Sequence, residues 1–118
     1  MVNYSSAVLD RTFAALTDAT RRAILMRLEA EGPITISDIA RPLPIKLPAV
    51  MKHLGVLEGA GLISRSKVGR IVTVRIEPGP MEPALAWLKT YERFWGRRLD
   101  HLARYAEAKE NAAKGKAE

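Results

Sequence analysis

Hydrophobic spacing in this chain changes period once and then changes back, and that switch restricts the fold more than any other feature. Up to residue 60 the apolar residues recur every three to four positions, the repeat of a helix with one buried face. From 62 to 68 and from 70 to 76 the period falls to two, and Ile71, Val72, Val74 and Ile76 are all β-branched. Gly69 sits between the two runs and supplies a tight turn, so they read as a β-hairpin. Beyond 81 the helical period returns.

The punctuation divides the helical parts. Residues 7–16 form one helix through Val8, Leu9, Thr12, Phe13 and Leu16. A second begins at Asp18 or Thr20, both good N-cap types, runs through Ile24, Leu25 and Leu28, and stops at Gly32-Pro33. A short helix over 35–40 is capped by Thr35, carries Asp38 in its first turn, and is kept short by Pro42 and Pro44. The helix over 47–60 has Pro48 in its first turn, a buried stripe of Val50, Leu54 and Leu57, and Gly61 as its stop. After Pro78-Gly79-Pro80 a single long helix is expected over 81–111. Its stripe is Leu88, Tyr91, Trp95, Leu102 and Tyr105, widened by Ala84, Trp87, Phe94 and Leu99; residues 112–118 are expected to fray.

The expected fold is therefore mainly α with a β-hairpin wing, in one domain over 1–118. Three helices followed by a hairpin are the parts of a winged helix-turn-helix. The recognition helix falls at about 47–60, the wing at about 62–76, and a C-terminal dimer helix at about 81–111.

Charge then separates the possible partners. Between Ile39 and Ile76 there are seven bases against the single acid Glu58, a surplus that equals the formal charge of +6 carried by the whole chain. A basic block on an otherwise balanced protein suits a polyanion, although a merely solvated face has the same composition. The helix-turn-helix decides for double-stranded DNA. With Val50, Leu54 and Leu57 turned inward, Lys46, Pro48, Ala49, Met51, Lys52 and His53 populate the other surfaces at the end that meets base edges. Lysine donates to guanine or phosphate, and alanine or methionine packs on a thymine methyl. Arg65, Lys67 and Arg70 around the hairpin turn suit phosphates or a narrow minor groove.

Other chemistries find little support. The chain has no cysteine, which excludes disulfides, thiolate metal sites and cysteine nucleophiles. No glycine-rich phosphate loop and no positioned partner for His53 are visible, so neither catalytic residues nor a cofactor are expected. No signal-peptide layout and no apolar run approaching about 20 residues are present, so a cytoplasmic protein without membrane contact is expected. The aromatic stripe of the last helix reads as core packing, as a homodimer interface, or as the lining of a small-ligand pocket between subunits.

Two stretches carry a family resemblance. Leu47-Pro48-Ala49-Val50-Met51-Lys52-His53-Leu54, followed by Leu57-Glu58-Gly59-Ala60-Gly61-Leu62-Ile63, resembles the recognition helix and start of the wing in ArsR-type regulators. Phe13-Ala14-Ala15-Leu16-Thr17-Asp18-Ala19-Thr20-Arg21-Arg22-Ala23-Ile24-Leu25 resembles that family's second-helix signature. Ala86-Trp87-Leu88, Phe94-Trp95 and Arg98-Leu99 resemble a subgroup often encoded beside START-like proteins. The resemblance implies a homodimeric repressor that releases its operator when an effector or a modification arrives. It implies dimerisation through the first and last helices, with Phe13, Leu88, Tyr91, Trp95, Leu102 and Tyr105 at the interface. It also implies phosphate contact by Arg21 or Arg22.

The chain departs from that family at two positions, Lys46 and Met51, where members usually or often carry serines that cap the recognition helix or touch DNA. Either a different operator is read there, or binding leans on charge. The family's best-known metal site is missing too, because 36–40 reads Ile-Ser-Asp-Ile-Ala. Asp100 and His101 are the remaining candidates for a zinc-responsive switch, but they are sequence neighbours pointing about 100° apart on a helix, so no metal site is expected. The alternatives to a DNA-binding repressor are that switch and a winged-helix module binding another protein.

Overall fold

The computed structural model describes residues 3–117, except the side chains of residues 3–5, 99 and 113–117. The chain divides between Leu85 and Ala86 into two compact units. The first holds α1 (Asn3–Ala15), α2 (Ala19–Glu31), β1 (Ile34–Thr35), α3 (Ile36–Ala40), α4 (Leu47–Gly59), β2 (Ile63–Val68), β3 (Ile71–Ile76) and the start of α5 (Met81–Lys89). The second holds the end of α5 and α6 (Glu92–Ala117).

Chain punctuation sets these boundaries. Asp18 caps α2 by accepting the Arg21 backbone N–H at 3.0 Å, and Thr35 caps α3 by accepting that of Asp38 at 3.2 Å. Helix α4 closes in a Schellman motif. The Leu62 N–H donates to the Leu57 carbonyl and the Gly61 N–H to the Glu58 carbonyl, both at 2.9 Å. Gly61 takes the left-handed φ of 75° that the motif needs, and Leu62 buries itself as the chain turns into the wing.

The hairpin forms as expected, with Val68 opposite Ile71 and Gly69 (φ 62°) opening a two-residue loop. The sheet has a third strand that alternation does not announce. β1 pairs antiparallel with β3, Ile34 opposite Val74 and Thr35 opposite Thr73, giving the order β1-β3-β2. Two residues are too few to show a period. The core of this unit gathers Ile24 and Leu28 of α2, Ile39 of α3, Val50, Leu54 and Leu57 of α4, and Leu62 and Val74 of the wing. The recognition helix is thereby fixed on its inner face by three side chains with no exposure.

The single helix expected over 81–111 is in fact two. Thr90 donates its hydroxyl to the Trp87 carbonyl at 2.7 Å. The backbone N–H groups of Thr90 and Tyr91 bond three residues back, to Trp87 and Leu88. This tighter turn ends α5, because a threonine hydroxyl competes for the carbonyls that would carry an α-helix onward. Helix α6 then runs past residue 111 to Ala117 instead of fraying at 112, through Ala112, Ala113, Lys114 and Lys116, all good helix formers. Glu118 lies outside the described residues. No helix among the described residues is long and apolar enough to cross a membrane.

Candidate nucleic-acid interface

α3 and α4 form the helix-turn-helix, joined by the turn through Pro42 and Pro44. α2 braces it: Arg27 donates from Nη1 to the Asp38 carbonyl at 3.0 Å and pairs through Nε with Glu31 at 3.0 Å. Asp38 in turn pairs with Arg41 at 2.8 Å.

The outward surface of α4 starts at its cap. Lys46 occupies the N-cap position with extended backbone and makes no side-chain cap bond. The usual capping hydroxyl is replaced by a cation, and Lys46 stands exposed at the mouth of the helix. Pro48, Met51 and Lys52 are exposed, and Ala49 and His53 are half-buried. Leu47, which the sequence does not single out for DNA contact, is 55% exposed, and Met51 one turn on is 36% exposed. Their i, i+4 spacing was the available signal, hidden because leucine on a helix reads as core.

His53 and Arg21 meet, which spacing could not foretell. Arg21 donates from Nη1 to His53 Nδ1 at 3.2 Å, from Nε to the Ala15 carbonyl at 2.7 Å and from Nη2 to the Ala14 carbonyl at 3.2 Å. Arg22 donates to the Leu16 carbonyl at 2.7 Å. Both arginines therefore satisfy carbonyls at the C-terminal end of α1. Arg22 is exposed, while Arg21 is half-buried and ties α1, α2 and α4 together. Asp18 Oδ1 lies 3.7 Å from His53 Nδ1. The backbone N–H of Arg21 does most to hold the Asp18 carboxyl below its ordinary value; burial opposes it, and His53, the Thr20 N–H and the Arg21 charge each add a lesser lowering.

The wing separates its cations. Arg65 pairs with Glu58 of α4 through Nε at 3.1 Å and Nη2 at 2.9 Å, so it fastens the wing to the recognition helix. Lys67 and Arg70 stand exposed near the tip, beside Val68 and Ile71. The one carboxylate on α4 is thus occupied by an arginine, and the surface from Lys46 to Lys52 carries cations and apolar groups only.

In the second unit, Leu88, Tyr91, Leu102 and Tyr105 are exposed and Trp95 is half-buried; the rings of Trp87 and Tyr91 meet edge to face with centroids 5.2 Å apart. In the first unit Phe13 is half-buried. Asp100 and His101 are exposed, and no three His, Asp or Glu residues come together among the described residues.

A helix-turn-helix domain family model matches residues 16–65. The chain is 40% identical over 100 residues to the HTH-type transcriptional regulator Rv2034 of Mycobacterium tuberculosis, spanning 84% of this chain and 89% of that one. A crystal structure of an ArsR family transcriptional regulator superposes with a TM-score of 0.71 at 42% identity, covering 77% of this chain and 93% of that chain. The solution structure of a homodimeric winged helix-turn-helix DNA-binding domain from Mycobacterium bovis superposes with a TM-score of 0.58 at 26% identity, covering 81% and 93%.

Proposed function

Because this chain belongs to the ArsR family of winged helix-turn-helix transcriptional regulators, we propose that it works as a homodimeric repressor on a near-palindromic operator. The observation that carries the reading is the acid-free outward surface at the start of α4, with Lys46 and Lys52 exposed and the Glu58 carboxylate tied to Arg65. Lys67 and Arg70 at the wing tip extend the same charge within the same compact unit. In this reading Pro48, Ala49, Met51, Lys52 and His53 face base edges, Lys46, Lys67 and Arg70 hold phosphates, and Arg22 adds a phosphate contact beside α1.

A two-fold dimer follows from the family and from the exposed apolar side chains of α5 and α6. Leu88 of α5, Tyr91 between the two helices, and Phe94, Leu102 and Tyr105 of α6 are all exposed in the single chain, and covering them with a second copy removes apolar surface from water. Two-fold symmetry then sets the recognition helices about 34–36 Å apart, one turn of DNA. A bound dimer of this size blocks a promoter by occupancy. It acts in the cytoplasm and performs no catalytic chemistry.

Charge reversal tests the reading. The variant carrying Lys67→Glu and Arg70→Glu is expected to keep its helical content and its dimer mass in sedimentation, and to lose operator binding in fluorescence anisotropy. Undiminished binding would remove the wing from the interface.

A further inference from the structure

We propose that Met51 and Leu47 of α4 read thymine, by packing on the 5-methyl group that the other bases lack in the major groove. The inference rests on α4 being the groove-entering helix, and it names what that helix selects.

The outward surface of α4 offers Lys46 and Lys52, which only donate. His53 is half-buried, with its Nδ1 at 3.2 Å from Arg21 Nη1, and adds no acceptor to the exposed surface. Glu58, the one carboxylate of the helix, sits near its C-terminal end and is held by Arg65. Glutamine occurs nowhere in the chain, and its two asparagines are Asn3 and Asn111. The side-chain amides that pair with adenine are therefore missing from α4.

A surface of donors matches O6 and N7 of guanine, O4 of thymine and N7 of adenine alike, so it does not by itself choose a base. It offers nothing to accept from N6 of adenine or N4 of cytosine. What remains on the helix is apolar. Leu47 is 55% and Met51 36% exposed, one turn apart, although both would gain by burial. Among the groups on base edges in the major groove, the thymine methyl is the apolar one. Met51 and Leu47 thus have a partner in the groove, and the same two side chains set thymine apart from the other bases.

The test selects a duplex from a random library with the full-length protein, then replaces single thymines in each half-site by deoxyuridine, which lacks only the methyl. Loss of one buried methyl weakens binding about fourfold, and symmetric loss in both half-sites about fifteenfold. Met51→Ala or Leu47→Ala, both at exposed positions, is expected to cancel the penalty at one thymine per half-site and to leave the salt slope unaltered. Met51→Gln is expected to move the preference at that position from thymine to adenine. Equal affinity for thymine and deoxyuridine duplexes throughout the selected site would overturn the inference while leaving DNA binding intact. Selection of no duplex at all would overturn DNA binding itself, and this inference with it.

Discussion

Replacing Arg21 by alanine should cost stability and leave the electrostatics of DNA binding alone. Its guanidinium makes three hydrogen bonds, to the Ala14 and Ala15 carbonyls and to the His53 ring. A hydrogen bond to a charged group contributes ~1.5–3 kcal/mol net. The Ala14 contact is exposed and the Ala15 contact half-buried, so water replaces part of what is lost. The expected destabilisation is about 2–3 kcal/mol. Arg21→Lys, a point charge without the planar fork, should recover less than half of it. Urea unfolding followed by circular dichroism reads the effect as a lower midpoint at unchanged m. Affinity measured across salt where both proteins are folded should give parallel lines of log K against log salt. Were Arg21 instead a phosphate contact, stability would hold and the slope would flatten by about 1.8 per dimer, that is ~0.9 for each protomer. That outcome would refute the assignment of Arg21 as a brace between α1, α2 and α4.

Other consequences follow from the same packing. Leu54 has no exposure and sits on the inner face of α4, so Leu54→Ala should cost about 2–5 kcal/mol and loosen the recognition helix, seen as a lower urea midpoint. Asp18 caps α2 with a carboxyl held below its ordinary value. A depressed carboxyl gives stability that is present above the unfolded value and is lost as pH falls through the folded one. Asp18→Ala should therefore be less stable than the parent at neutral pH, with the gap closing below about pH 4 as measured by urea midpoints against pH. Gly61 has a φ of 75° inside the Schellman motif, and Gly61→Ala should cost about 1–2 kcal/mol by thermal unfolding.

The sequence determines much of this fold because its local signals agree with one another. Asp18, Thr35 and Gly61 each mark a helix end, and each is found capping or closing one. The buried stripe of Val50, Leu54 and Leu57 orients α4 without any tertiary knowledge. What stayed hidden depends on contacts between residues far apart in the chain. β1 exists because Ile34 and Thr35 find β3, and Arg21 reaches His53 across 32 positions. Arg65 looks like a free wing cation until Glu58 is seen to hold it. Thr90 breaks the last helical segment through one hydroxyl, a local event that the strong aromatic stripe on either side conceals. In the site, cation and apolar types were legible, but which of them face outward was settled by burial.

The central claim is that α4 and the wing bind a specific operator as a dimer. Titrating the full-length protein against its own upstream intergenic DNA and against a scrambled duplex, across a range of salt, tests it most directly. Four exposed cations per protomer assigned to phosphates, Arg22, Lys46, Lys67 and Arg70, make eight in a dimer, for a log–log salt slope of about −7 if all meet phosphate. The account predicts tight binding to the upstream fragment, a slope approaching that value, and weaker binding to the scrambled duplex. Failure to bind either duplex at low salt would contradict it.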